Sequence, residues 1–461
     1  MNAKHTLISI RNYAFRFLMW LLAACLIGCL CGVAGGLFAM AVEWATHFRG
    51  AHGWLLYLLP LGGLLIAALY RWMNLPSAIG TDRILETVRS QDRVPILLVP
   101  AIFASTVITH LLGGSAGREG AALQLGGTIG AAVGCITQPD PKKDDRRICE
   151  LCGMAALFSA LFGTPMTAAV FVLEIIEVGK FNTRGLLPCM VSSIAAFLMA
   201  RLIGAPAEAF PLASGLAQVN ALTALQTAGL GVIFAVMAIL FCIVMHKSGK
   251  WLRRLLPNDF LRIALGGVAI IALSLLTGCR DYNGGGAHTI VEALAGHAKP
   301  EAFALKLLFT AITLSAGFKG GEIVPSFFVG STLGCVAAPL LGLPAALGAG
   351  LGLVGVFCGV TNAPLASLML SIELFGSEYL PLFGITAAVS FMLSGHFSLY
   401  HSQLFIQRKL GENHETLPVA DDAILPSATP ATEVPVDPPA EAPAVPEDGE
   451  ANQLPQQGET A

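Results

Sequence analysis

The chain has 461 residues, 55% of them hydrophobic and only 12% charged, with 50 glycines and a mean hydropathy of +0.70. Soluble domains carry roughly 25% charge, so this composition excludes a soluble globular protein, and the absence of a long basic stripe excludes a nucleic-acid binder. The formal charge of −3 hides an asymmetry: His414 to Ala461 hold ten of the thirty acids, nine of the 26 prolines and no Lys or Arg, leaving 27 basic against 20 acidic residues in the rest.

In chain order, Lys4, Arg11 and Arg16 precede the apolar run Phe17–Val42. That run is too long for a signal-peptide core and reads as a first transmembrane helix, with residues 1–18 as a cytoplasmic segment. Glu43, beside Trp44, reads as a membrane-surface residue. Further stretches able to cross a ~30 Å hydrocarbon layer are Trp54–Tyr70, Ile96–Leu112, Leu222–Met245 and Phe260–Leu276, with shorter glycine-interrupted pieces between them. The basic clusters Lys142-Lys143 with Arg146-Arg147, Lys247 to Arg254, and Arg408-Lys409 mark the cytoplasmic side. Together they predict an all-α, multi-pass protein of a cell inner membrane with both termini in the cytoplasm.

The eleven cysteines fall mostly inside apolar segments and read as small packing residues rather than a disulfide framework. Cys149 and Cys152 have metal-like spacing but no second pair nearby, and read as two residues on one helix face. No cofactor or metal is expected. The region 406–461 reads as a disordered acidic tail with no soluble regulatory domain after the core.

Two passages align without a gap at an offset of 199 residues, FGTPMTAAVFVLE (Phe162–Glu174) and TNAPLASLMLSIE (Thr361–Glu373). Each has Pro fourth and Glu thirteenth. Upstream of each, a Gly-Glu signal opens a glycine-spaced helix: GREGAALQLGGTIG (Gly117–Gly130) and GGEIVPSFFVGSTLG (Gly320–Gly334). Two linked matches imply two related halves, 19–203 and 222–405, joined by a linker at 204–221. Transporters built from such halves often invert the second and place the site where short, broken helices meet near the midplane.

The glycines around Glu119 let backbones approach and free the N–H groups at the start of the helix that follows. Those donors, with the positive end of the helix dipole, make an anion site. An ionised glutamate there occupies the site and a protonated one vacates it, which couples an anion gate to a proton. Glu322 has the same setting in the second half, with Pro325 near the first helical turn. A carboxylate at membrane depth is costly unless compensated, so it is functional by default. The gating and proton candidates are therefore Glu119 and Glu322, and the anion-contacting candidates at the same helix starts are Gly117, Arg118, Gly120, Gly321 and Ile323. Pairing of Glu119 with Arg118, or of Glu322 with Lys319, is the structural alternative. Glu174 and Glu373 read as capping or pairing residues, and His110 as a packed, hydrogen-bonded histidine or a proton relay.

At these residues the chain resembles the CLC family of chloride channels and proton-coupled anion antiporters. GREGAALQLGG resembles the family's GREGP motif, the two repeated passages resemble its Asn-Ala-Pro-Leu helices, and SLYHSQ resembles the segment bearing its pore tyrosine. The resemblance covers nearly all of Met19 to Phe405. It implies a CLC-like architecture of two inverted-topology repeats of tilted and discontinuous helices, and a homodimer in the lipid bilayer with one pore per subunit. It also implies that Glu119 matches the external gating glutamate and Tyr400 the tyrosine whose hydroxyl donates to the central anion. The family's Gly-Ser-Gly-Ile-Pro signature falls at AIGTDRILE, where Ile79 aligns with the anion-coordinating serine and only Gly80 survives. Ala121 replaces the motif proline. Ile175 stands at the internal proton glutamate of antiporters. GGEIVP replaces Gly-Gly-Ile-Phe-x-Pro, and this pattern is similar to the fluoride/proton antiporter branch. GTDRILE departs from the asparagine-rich signature of that branch, and Val324 stands where it has a hydroxyl.

The expected function is halide/proton antiport, of fluoride or chloride, gated by glutamates. The alternative is a passive, voltage-gated-type chloride channel of the same fold. An intramembrane enzyme lacks any metal pair, H-E-x-x-H motif or paired nucleophile and base, and an organic-solute carrier needs a larger polar cavity than glycine-tight helices leave.

Overall fold

The computed structural model of this chain describes residues 3–76, 80–90, 94–137, 143–206, 209–406, 409–410 and 417–418. Ile79, Lys142, Arg408 and, apart from Ile406, Lys409, Leu410, Leu417 and Pro418, the acidic tail 406–461 lie outside the described residues. Those that are described form sixteen α-helices: α1 Ala3–Ala51, α2 Leu59–Trp72, α3 Thr81–Ser90, α4 Leu98–Leu112, α5 Glu119–Thr137, α6 Lys143–Phe162, α7 Pro165–Glu174, α8 Thr183–Leu202, α9 Ala221–Leu255, α10 Asp259–Thr277, α11 Ala287–Leu294, α12 Ala302–Ala316, α13 Ile323–Ala337, α14 Ala345–Thr361, α15 Pro364–Phe375 and α16 Leu380–Leu393.

Seven helical stretches are long and apolar enough to cross a membrane, while α4, α7, α12, α14, α15 and α16 are apolar but only 10–17 residues long. At 1.5 Å per residue, the ten residues of α7 reach about halfway through the hydrocarbon layer. Broken, half-depth helices are tolerated only where their ends are buried in protein. Of these short helices, α14 meets that condition, being buried along nearly its whole length. The leading helix is longer than the apolar run alone indicates: α1 takes in the segment from Ala3 onward, so Arg11 and Arg16 continue the helix. The span expected at Ile96–Leu112 is the shorter α4.

The two halves use the same partners. In the first, α1 packs on α4, α6 and α8; in the second, α9 packs on α12, α14 and α16. The pairs α5/α6 and α13/α14 are both glycine-to-glycine crossings. A Cβ on Gly153 would lie 2.0 Å from the Gly126 carbonyl oxygen, and one on Gly352 would lie 2.0 Å from that of Gly330. Only glycine allows backbones so near, and in lipid, where apolar burial drives little association, such close packing is the main source of cohesion. The repeated passages form α7 and α15, which lie side by side and antiparallel, because the C-terminal glutamate of each reaches the start of the other. Seven of the eleven cysteines are buried and all eleven are free thiols, in keeping with their reading as packing residues.

A small sheet closes one end. Strand β1 (Glu177–Val178), just after α7, pairs in parallel with β2 (Leu404–Phe405), which pairs antiparallel with β3 (Leu417–Pro418). Beside it, the Lys409 ammonium donates to the Phe391 carbonyl, the Ser394 hydroxyl and Asn362 Oδ1. Ser394 and Asn362 are the C-caps of α16 and α14, so a cation sits at two negative helix ends.

Candidate functional site

The two glycine-opened helices meet head to head. Gly117, just before α5, and Gly321, just before α13, form an isolated antiparallel bridge. The Gly117 N–H donates to the Gly321 carbonyl at 2.8 Å and the Gly321 N–H returns the bond at 2.8 Å. Glycine is required by space at Gly321, and at Gly117 as long as Glu119 keeps its place. A Cβ at Gly321 would stand 2.4 Å from the Gly120 nitrogen and 2.6 Å from Glu119 Oε2, and one at Gly117 would stand 2.2 Å from the same Oε2. The Glu119 carboxylate thus lies directly against the bridge, completely buried, with Oε1 accepting the Arg118 N–H at 2.9 Å. The carboxylate therefore lies at the start of α5, where unpaired N–H groups and the helix dipole favour a negative charge.

Two cavities open on either side of the bridge and share no lining residue. One, of about 240 Å³, is bounded by Glu119, Gly117, Arg118, His110, Glu43 and Val324. The other, of about 250 Å³, is bounded by Glu322, Gly320, Gly80, Ala121, Gln124 and Lys319. Glu119, with Glu43, borders the first cavity, and Glu322 of the second half borders the other.

Cations surround the pinch. The Arg118 guanidinium donates to the Leu161 carbonyl at 3.3 Å, near the end of α6, so the part of Arg118 that meets Glu119 in this bond pair is its backbone N–H. Lys306, on α12, is fully buried. Its ammonium donates to Gly284 O at 2.6 Å and Tyr282 O at 3.2 Å and stands 5.1 Å over the Phe328 ring, within electrostatic reach of Glu119. His110 is buried, and its Nδ1 bonds with the Thr106 carbonyl at 2.9 Å, as a packed histidine does. It nevertheless borders the Glu119 cavity.

Tyr400 is buried, and its hydroxyl has no hydrogen-bond partner among the described residues. The carboxylates of Glu322, Asp82 and Glu119 all lie within electrostatic reach of it. Its segment is tied down on three sides: Leu399 N–H to Val360 O at 2.7 Å, Gln403 Nε2 to Ile175 O and Thr361 O at 2.9 Å each, and Ser402 to Asp82.

Of the residues singled out from sequence, Gly80, Gly117, Glu119, Gly120, Gly321, Glu322, Ile323 and Tyr400 gather around the bridge and its cavities. Ile323, the first residue of α13, is buried. One residue enters in a different place from its sequence reading, and two enter that sequence reasoning passed over. Glu43 borders the Glu119 cavity instead of standing only at the membrane surface. Lys306 could have been found by the rule that flagged the glutamates, since a lysine inside an apolar helix is equally costly. Asp82 carried no signal of its own.

Comparison with known proteins agrees with this geometry. The family described as Voltage gated chloride channel matches residues 62–395. The chain is 34% identical over 406 residues to a chloride/fluoride channel protein of Pseudomonas syringae pv. tomato, covering 87% of this chain and 88% of that one. It is 26% identical over 393 residues to the H(+)/Cl(−) exchange transporter ClcA of Vibrio vulnificus, covering 78% and 83%. Among solved structures, a CLC-type fluoride/proton antiporter superposes with a TM-score of 0.80 at 31% identity, over 84% of this chain and 98% of that one. A slow cyanobacterial Cl−/H+ antiporter shares the fold, with a TM-score of 0.69 at 22% identity over 82% and 94%. A polytopic helical bundle with paired glycine-opened helices defines a membrane transport protein. The chain belongs to the CLC family, whose members are transporters and channels rather than enzymes.

Proposed function

We propose that this protein exchanges a halide for protons across a bacterial inner membrane, with fluoride ahead of chloride, as a homodimer carrying one pathway in each subunit and both termini in the cytoplasm. Each pathway lies between the two halves, 19–203 and 222–405. The observation that carries the reading is the pair of glutamates lining separate cavities on either side of the Gly117–Gly321 bridge.

Glu119, when ionised, fills the seat at the start of α5. Protonation removes its charge, its claim on the helix-start donors weakens, and a halide takes the place. The N–H groups of the first turn of α5, Gly120 among them, and the Tyr400 hydroxyl serve as donors to that ion, since the Gly117 and Gly321 N–H groups are held in the bridge. Glu322 takes and gives the proton on the opposite side, the task left open by Ile175 at the usual internal position. The relatives named as a chloride/fluoride channel protein and a fluoride/proton antiporter support fluoride as the first ion to test.

The competing reading is a passive anion channel of the same fold, favoured by the apolar Ile175 and by the word channel in the name of the Pseudomonas relative. Efflux of fluoride and of chloride from vesicles holding the purified protein, with external pH recorded, separates the two. An antiporter drives protons uphill against the anion gradient; anion flux with no proton movement overturns the exchange.

A further inference from the structure

The Tyr400 hydroxyl works as an anion donor only if its position is fixed, and a tyrosine on an irregular segment needs something to fix it. Two of the three ties on that segment are to backbone carbonyls at the ends of α7 and α14. The third differs in kind. Asp82 Oδ1 accepts both the Ser402 N–H and the Ser402 hydroxyl, each at 3.1 Å, across 320 residues of sequence. Both bonds end on a carboxylate, and bonds to an ionised acceptor are stronger than neutral ones.

The helix presenting Asp82 is itself anchored. Near its far end, the Thr87 hydroxyl donates to Glu150 Oε1 of α6 at 2.7 Å, a contact buried from solvent. Its near end abuts the bridge, because a Cβ on Gly120 would fall 2.9 Å from Thr81 Oγ1. Thr81 and Gly80 both line the Glu322 cavity. Asp82 therefore connects a rigid element that touches the Glu119 helix start to the segment that carries Tyr400.

We propose that Asp82 is a positioning residue for anion binding: by holding Ser402, it sets where the Tyr400 hydroxyl stands relative to the Gly117–Gly321 bridge. The inference rests on Tyr400 acting as an anion donor, as set out above. A purely structural role also exists for Asp82, since an acid in the first turn of α3 stabilises that helix. The two roles differ in what asparagine does. Asparagine keeps a carbonyl oxygen in place to accept from Ser402 but removes the charge.

The test measures fluoride and chloride efflux from vesicles as a function of halide concentration, for purified variants that run as the wild-type oligomer on gel filtration. Asp82→Ala is expected to raise the half-saturating halide concentration by about tenfold, the effect of losing a pair of bonds to a charged acceptor, with the maximal rate changed far less. Asp82→Asn is expected to restore most of that affinity, and Ser402→Ala, which keeps the backbone N–H, to fall between. In a Tyr400→Phe background, Asp82→Ala should add nothing further. If Tyr400→Phe weakens halide binding while Asp82→Ala does not, or if Asp82→Ala and Asp82→Asn behave alike, the positioning role is overturned. If Tyr400→Phe itself leaves halide affinity unchanged, the donor role of Tyr400 falls instead, and the positioning role with it.

Discussion

Glu174 and Glu373 cap each other's helices. The Glu373 carboxylate, near the end of α15, accepts the Met166 N–H at 2.9 Å, the Thr167 N–H at 2.8 Å and the Thr167 hydroxyl at 2.5 Å, all at the start of α7. Glu174, the last residue of α7, accepts the Leu365 and Ala366 N–H groups at 3.0 and 2.8 Å at the start of α15. Both helices open on a proline, which removes one orphan donor, and the exchanged acid satisfies the next two. Replacing Glu373 by Ala leaves those donors without their acceptor and is expected to cost about 2 kcal/mol. Glu373→Gln should cost less. The thermal unfolding of the detergent-solubilised variants, followed by tryptophan fluorescence, reads the difference.

Glycines at the bridge are not equivalent. A methyl at Gly117 collides with the Glu119 carboxylate, which can rotate away, whereas one at Gly321 collides with the Gly120 backbone nitrogen, which cannot. Gly117→Ala should therefore fold and show raised halide leak with weakened proton coupling, because the gate is displaced from its seat. Gly321→Ala should be recovered in much lower yield. Vesicle efflux and gel filtration of both variants check the contrast.

The glycine crossing of α13 and α14 makes a similar demand without any ion involved. In Gly352→Ala, the new methyl would need the space held by the Gly330 carbonyl, 2.0 Å away, so the helices must separate. Overpacking of this kind costs roughly 1–3 kcal/mol, and the corresponding Gly153→Ala at the α5/α6 crossing should cost a comparable amount. Unequal effects, measured as loss of thermal stability, would show that the two halves do not carry the load alike.

Glu119→Gln and Glu322→Gln are expected to separate the two tasks. Glutamine at 119 cannot take a proton and mimics the neutral glutamate that has left the seat, so halide flux becomes independent of pH. Glutamine at 322 should abolish proton movement while leaving a folded protein that still binds halide. Simultaneous recording of anion efflux and external pH distinguishes them, and retention of full coupling in Glu322→Gln would remove that residue from the proton path.

Lys306→Met should be among the most destabilising single changes in the chain. It leaves the buried Tyr282 and Gly284 carbonyls without the donor that joins them, a loss of about 2 kcal/mol by the usual penalty for unsatisfied buried acceptors. It also removes a positive charge from the surroundings of Glu119, so a surviving fraction should bind halide more weakly. Halide titration of efflux in that fraction gives the second readout.

Much of the site was legible in the chain because its chemistry is local. Glycines flanking Glu119 and Glu322 announce helix starts that backbones can approach, and the 199-residue offset between the proline-opened passages announces that the arrangement occurs twice. What lay beyond reach was contact between distant segments with no shared pattern. Asp82 and Ser402 are unremarkable residues until the fold brings them together, and Glu43 belongs to a helix that continues past the apolar run to border the Glu119 cavity. The Arg118 side chain illustrates a subtler limit: its motif position indicated the pore, yet its guanidinium reaches the end of α6 and leaves its amide to Glu119.

The pair of bonds between Gly117 and Gly321 sutures the molecule at its waist. A transporter that rocks its halves apart must break both backbone hydrogen bonds of that seam on every cycle, and leaving the buried groups unpaired costs energy that would slow each turnover. In the exchange proposed above, the backbone frame stays shut while two carboxylate arms swing to either side of it, so the moving mass per cycle is a few atoms rather than a domain.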